Sequence, residues 1–101
     1  CMVLTSRREG YGMVVVEAAA RGTPSIVVAG PDNAATELVA DGVNGVIVAD
    51  ASPAAVAAAI VAVHRAGRTL RASTSAWFAA HATSLSLSSS LERVLDAYAR
   101  A

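Results

Sequence analysis

The sequence predicts an α/β fold in which a parallel sheet lies between flanking helices, in three layers. Short apolar runs at residues 1–4, 25–29 and 46–48 have the composition of buried parallel strands. Segments of helical character follow each run, and strands that alternate with helices form parallel sheets with right-handed crossovers. Hydrophobic residues make up 54% of the chain, which is enough for a core.

The first helix is predicted over residues 11–21. Met13 to Val16 alone would favour a strand, but Gly22 and Pro24 are typical of the residues that follow a helix. The segment is apolar on nearly every side, so we expect it to be covered on most sides and Glu17 to be buried. A buried glutamate needs a partner.

The later elements are predicted from capping residues and apolar spacing. Asn33 caps a short helix at 34–40, and Ser52 with Pro53 begins a helix that ends at Gly67. Three apolar residues recur along that helix at core-facing spacing: Val56, Ile60 and Val63. A further helix over 68–80 carries Trp77 and Phe78, which we expect in the core.

The end of the chain is predicted to hold one amphipathic helix. Residues 83–90 are rich in serine and leucine and poorly defined. Residues 91–99 then place four apolar side chains on one helical face: Leu91, Val94, Leu95 and Tyr98.

Charge and composition exclude several functions. The formal net charge is zero and there is no basic run, which excludes an electrostatic case for binding nucleic acid. No apolar run reaches the roughly 20 residues that span a bilayer. Cys1 is the single cysteine, and no signal peptide is visible. We therefore expect a cytoplasmic location, or a peripheral one at the inner face of the membrane.

Gly10-Tyr11-Gly12 lies between a predicted strand and a predicted helix. This position places free backbone N–H groups and the positive end of a helix dipole at the carboxyl edge of a parallel sheet, where phosphates bind. A tight turn without a ligand is the alternative. The turn is neither a dinucleotide fingerprint, because Val15 occupies the third glycine position, nor a P-loop, because no lysine follows.

Glu9 and Glu17 bracket this turn. Each carboxylate can accept two hydroxyl hydrogen bonds, which suits the diol of a ribose or a hexose. The alternative for Glu17 is an ion pair with Arg21, four residues later. The residues themselves leave both interpretations open.

Other candidate residues have weaker support. His64 and His81 lack metal-ligand spacing, so we expect no metal site. No Gly-x-Ser-x-Gly motif is present, which leaves serine-hydrolase chemistry without support. Asp32 and Asp41 lie in turns, where capping explains them.

The stretch EGYGMVVVEAAARGTP at residues 9–24 resembles the E-x7-E region of the retaining, group-1 glycosyltransferases with the GT-B fold. The similarity continues through ELVADGVNG at residues 37–45. The resemblance implies the latter part of the C-terminal, Rossmann-like domain that binds a nucleotide sugar. It assigns residues 1–82 to that domain and residues 83–101 to a C-terminal helix segment.

The resemblance also implies roles for individual residues. Glu9 would face the donor sugar as the catalytic residue, and Glu17 would hold the ribose hydroxyls. Backbone amides around Gly12, Met13 and Val14 would hold the diphosphate, and Gly10 and Tyr11 would belong to the same donor-binding segment. The reaction would transfer a sugar from a nucleoside-diphosphate sugar to an acceptor with retention, without a metal or other cofactor.

Some family features have no counterpart in these residues. The upstream Arg and Lys that neutralise the diphosphate are absent, as is the N-terminal acceptor domain, so we expect the chain alone to be inactive. A sugar-nucleotide epimerase of the same architecture and a non-catalytic interaction domain are the alternatives. We also expect self-association, through a sheet edge or the last helix.

Overall fold

The computed structural model describes residues 1–101 and contains a three-stranded parallel sheet between helices. The strands lie in the order β1 (Met2–Leu4), β2 (Ser25–Val28) and β3 (Gly45–Val48). The α-helices are α1 (Met13–Ala20), α2 (Pro53–His81) and α3 (Leu87–Arg100), and a 3-10 helix, Ala34–Leu38, links β2 to β3. The predicted α/β class is confirmed. The 3-10 helix replaces the helix predicted at 34–40.

Each face of the sheet has its own apolar core, because successive side chains of β2 point to opposite faces. Ile26 and Val28 pack with residues of β3 and α2: Val48, Ala59, Val63 and Leu70. Val27, on the other face, packs with residues of α1 and of the connection to β3: Val15, Ala35 and Val39. The helices therefore cover both faces, and the three-layer prediction is confirmed.

β1 is an edge strand, so the prediction that it is buried is wrong. Val3 pairs with Ile26 of β2 yet is 39% exposed. No strand lies beyond β1 to support a layer over the adjacent side of α1.

The exposure of α1 follows from this edge position. Val15 and Ala19 are its buried residues, whereas Met13 is 62% exposed and Glu17 is also exposed. The expectations that this helix is covered on most sides and that Glu17 is buried are therefore wrong.

α2 consists of two helical segments that meet at Gly67, whose φ of 52° and ψ of −130° are not helical. The predicted break at Gly67 is confirmed. The Ser52 side chain accepts a hydrogen bond from the Ala55 amide at 3.2 Å, as a helix N-cap does. The inward position predicted for Ile60 is wrong: it is 41% exposed, because Ala59 and Val63 form the seam against the sheet.

The C-terminal part of the chain is less buried than the sequence predicts. Trp77 and Phe78 are half-buried rather than in the core, and the Trp77 ring stacks on His81 with centroids 4.6 Å apart. α3 begins at Leu87, where Ser86 caps it, and contains no buried residue. The apolar face predicted for this helix is present and exposed: Val94 is 51%, Leu91 54%, Leu95 68% and Tyr98 78% exposed.

Asn33 joins three parts of the fold. Its side-chain amide nitrogen donates to the carbonyl oxygens of Val28, at 2.7 Å, and Ser6, at 3.0 Å. Its side-chain oxygen accepts from the Ala35 amide at 3.1 Å. Asn33 is 2% exposed, so water cannot replace these partners freely. The predicted cap is confirmed, and the same side chain also holds the loop after β1 against the end of β2.

We predict that Asn33→Ala lowers the free energy of unfolding by about 2–4 kcal/mol, because it leaves buried carbonyl and amide groups without partners. Denaturant unfolding followed by circular dichroism measures this. The control is Asp32→Ala, which removes an exposed neighbour and should change the free energy of unfolding by less than about 0.5 kcal/mol. Equal losses in the two variants would contradict the role of Asn33.

Candidate functional site

Three loops meet at one edge of the sheet, because the carboxyl ends of parallel strands lie together. They are residues 5–12 after β1, 29–33 after β2 and 49–52 after β3. The Glu9 amide donates to the Asp32 carbonyl at 3.1 Å, and the Ala34 amide donates to the Glu9 carbonyl at 2.9 Å. These bonds fix the backbone of Glu9 against the loop after β2, and they leave its half-buried side chain free of protein hydrogen bonds.

Gly12 forms the entry to α1 and its identity is constrained. Its φ is +78°, and a Cβ atom placed there would lie 2.8 Å from the Cβ atom of Ala35. Both observations require glycine. Gly10 differs: its φ is not positive and nothing lies within 4 Å of a Cβ atom placed on it. Gly12 therefore shapes the turn, whereas Gly10 leaves open space beside Glu9.

The first turn of α1 carries unpartnered amide groups. Gly12 has no side chain to cap the helix, and the amides of Met13 and Val14 donate to no protein atom. No acidic side chain lies in this turn. The N-terminus of α1 therefore presents backbone donors and the positive end of the helix dipole at the carboxyl edge of the sheet, which is an arrangement that favours an anion.

Glu17 lies one turn after Met13, and both side chains are exposed. The ion pair with Arg21 that was the alternative for Glu17 is not formed; the one ion pair in the structure joins Arg8 to Asp32. Because residues four apart lie on the same helical face, the Glu17 carboxylate stands on the side of α1 that Met13 occupies. It is free to accept hydrogen bonds from a ligand.

Two depressions meet at Arg8 and Asp32, and Glu9 lines the more open of them. The more open one has a volume of about 350 Å³ and is lined by Arg8, Glu9, Gly10 and Asp32. The other has a volume of about 410 Å³, lies at the ends of β2 and β3, and shares Arg8 and Asp32 with the first. The sequence did not predict that Arg7 lines this second depression. The one feature of the sequence that could have indicated it is that Arg7 and Arg8 follow a strand whose carboxyl end lies at the edge of the sheet that forms the site.

The remaining titratable residues form no further centre. His64 and His81 are both exposed, and no three His, Cys, Asp or Glu side chains are grouped so that they could hold a metal ion. The side chain and the amide of Ser52 hydrogen-bond Asp50 and hold the pKa of that carboxyl below its ordinary value.

None of the helices has the length and apolar character needed to cross a bilayer.

The fold and the site define an α/β domain whose sheet edge and helix N-terminus are suited to a phosphate-bearing ligand. The family model for Glycosyl transferases group 1 matches residues 1–74, and the chain belongs to this family. A search of curated proteins returned no match. Family membership implies sugar transfer between a nucleotide-sugar donor and an acceptor, and the structure is that of a partial Rossmann-like domain of the GT-B fold.

We predict that Gly12→Ala destabilises the domain by about 2–4 kcal/mol. A left-handed conformation costs an L-residue about 1–2 kcal/mol, and the contact with Ala35 adds an overpacking cost of about 1–3 kcal/mol. Gly10→Ala is the matched control and should change the free energy of unfolding by less than about 0.5 kcal/mol. Urea denaturation compares the two variants; similar losses would contradict the assigned geometry of the turn.

Proposed function

We propose that the chain binds the nucleoside-diphosphate sugar of a retaining glycosyltransferase at the carboxyl edge of its sheet. The observation that carries this proposal is the uncapped N-terminus of α1, where the Met13 and Val14 amides have no protein partner. The amides are suited to the diphosphate, and Glu17, exposed farther along the helix, is suited to the ribose diol. Gly10, Tyr11 and Gly12 complete the donor-binding segment.

Glu9 is proposed as the catalytic residue that faces the donor sugar. In the reaction the bond between the anomeric carbon and the diphosphate oxygen breaks, and the acceptor hydroxyl oxygen bonds to that carbon. The hydroxyl proton leaves with the diphosphate. The α1 N-terminus offsets the charge that develops on the diphosphate, and the Glu9 carboxylate offsets the positive charge on the sugar. No metal or other cofactor has a role in this scheme.

We propose further that turnover needs groups besides those in this chain. Arg7 and Arg8 line the depression at the ends of β2 and β3, which none of the donor-binding residues lines. Arg7 is therefore poorly placed to neutralise a diphosphate at the α1 N-terminus. Arg8 lies beside Glu9 and Gly10, but it forms an ion pair with Asp32. The family's upstream Arg and Lys and a separate acceptor domain would supply what is missing, so we expect the chain alone to bind donor without turning it over.

We predict that Glu17→Gln weakens nucleoside-diphosphate binding by about 1–3 kcal/mol, or roughly 5- to 150-fold, because a charged acceptor of the ribose hydroxyls is lost. Calorimetric titration with uridine, adenosine and guanosine diphosphates measures the affinity. Glu92→Gln, on α3, removes an exposed carboxylate from a different helix and is the matched control. An unchanged affinity in Glu17→Gln would contradict the ribose assignment.

Glu9→Gln separates the two carboxylate roles in the same titration. It should leave the nucleoside-diphosphate affinity within about threefold of the parent and remove most sugar transfer in the active enzyme, because Glu9 faces the sugar and not the nucleotide. Loss of affinity with retained turnover would reverse the assignment.

We also propose that the chain pairs with a second copy through α3. Leu87, Leu91, Val94 and Tyr98 are spaced by four, three and four residues, which is the seam of two associating helices, and each is more than half exposed. Nothing in the chain covers them, because no residue of α3 is buried. Exposed apolar stripes of this kind favour association.

We predict a mass that rises from monomer towards dimer with protein concentration, as measured by light scattering. Leu91→Gln should shift this transition to higher concentration by at least about tenfold, since it places a polar group in the seam. Asp96→Asn lies on the opposite face of α3 and is the control. A monomeric mass at all concentrations would overturn the pairing.

A further inference from the structure

Gly67 is the single residue of α2 whose backbone is not helical, and it divides this helix into a first segment, residues 53–66, and a second segment, residues 68–81. Its φ of 52° and ψ of −130° belong to a region that glycine adopts far more readily than other residues. Nothing lies within 4 Å of a Cβ atom placed on Gly67. The bend in α2 therefore depends on one pair of dihedral angles and not on a side chain packed into the hinge.

The bend places the second segment against the rest of the domain. Leu70 is 6% exposed and packs in the core that contains Ile26, and Thr74 is fully buried. A Cβ atom placed on Gly22, just after α1, would lie 2.7 Å from the Ser75 Oγ atom. The second segment thus fills a place between the sheet and the end of α1, and the domain needs that place to be filled.

The inside of the bend is incompletely packed. A cavity of about 250 Å³ lies there, and both segments of α2 and the residues just before β1 and β2 line it: Val63, His64, Gly67, Arg71, Cys1 and Pro24. The bend therefore lies at the amino edge of the sheet. Groups that line a void lack partners on one side. Opening the bend consequently gives up few contacts at the hinge itself.

A helical Gly67 would make α2 one continuous helix. The neighbouring residues Ala66 and Arg68 are strong helix formers. In a straight α2, the second segment would extend about 20 Å beyond the amino edge of the sheet, at 1.5 Å per residue. Leu70 and Thr74 would then lose their cover, so a single chain keeps the bend. A second chain in the same state could supply the missing cover.

We propose that two copies of the chain exchange residues 68–101, with Gly67 as the hinge. In this exchanged dimer the second segment of each copy occupies the place that the bend gives it in the single chain, so the core contacts are kept between chains. α3 moves with it and loses no packing, because none of its residues is buried. A one-residue hinge favours exchange because it has no slack that could relieve its backbone.

The exchanged dimer differs from the α3 pairing proposed above, in which each chain keeps its own second segment. Isotope-filtered NMR separates the two in a dimer refolded from ¹³C-labelled and unlabelled chains of the Leu91→Gln variant, which weakens α3 pairing. We expect nuclear Overhauser effects between Leu70 methyl groups of one chain and Ile26 methyl groups of the other. Effects between chains that are confined to α3 would overturn the exchange and leave the α3 pairing in place.

Gly67→Ala should favour the exchanged dimer, because alanine is disfavoured at the positive φ of the bend and is better than glycine in a straight helix. In refolded samples, light scattering should place the monomer–dimer midpoint at a concentration lower by at least about tenfold. Gly42→Ala is the matched control. Gly42 also has a positive φ, +79°, and open space around it, but it lies outside the exchanged part, so its midpoint should not move. Equal midpoints in the two variants would overturn the proposal.

A longer hinge provides a second variant that does not depend on the folding of Gly67→Ala. Inserting Gly-Ser-Gly after Gly67 supplies slack to the bend and should raise the midpoint concentration by at least about tenfold. The same insertion after Ser84, in the connection between α2 and α3, should leave the midpoint unchanged. Circular dichroism checks that both insertion variants fold. A midpoint that the insertion after Gly67 does not raise would overturn the role of the hinge.

Discussion

The buried amide of Asn33 is the interaction on which the site depends. β1 is only three residues long, and the loop that follows it carries Glu9. Such a short edge strand cannot by itself fix a long loop. The hydrogen bonds from Asn33 to the Ser6 and Val28 carbonyls connect that loop to the central strand, whose side chains are fully buried. The Asn33 side chain and the two backbone hydrogen bonds of Glu9 therefore fix the position of Glu9 relative to the sheet.

The same connection orients α1. The Asn33 side chain accepts a hydrogen bond from the Ala35 amide, and the Ala35 Cβ atom lies 2.8 Å from the position that a Cβ atom on Gly12 would take. The entry of α1 is thus packed directly on the element that Asn33 begins. The amides of the first turn can remain unpartnered because tertiary packing, and not a capping side chain, holds this end of the helix.

Much of the fold followed from local chemistry in the sequence. Asn33, Ser52 and Gly67 were assigned from capping and backbone preferences, which act within a few residues. The exposure of individual residues was predicted less well. β1, Glu17 and Trp77 were expected to be covered, because apolar neighbours in the sequence indicate burial but do not show which other element covers them. The position of Arg7 beside a cavity was not predicted either, since that cavity is formed by three loops that are distant in sequence.

The exposure of α1 has a physical consequence for the proposed nucleotide site. An anion at an open helix terminus is attracted by the dipole but is also screened by water and salt. The diphosphate would therefore gain less from the Met13 and Val14 amides in this chain than in a covered site.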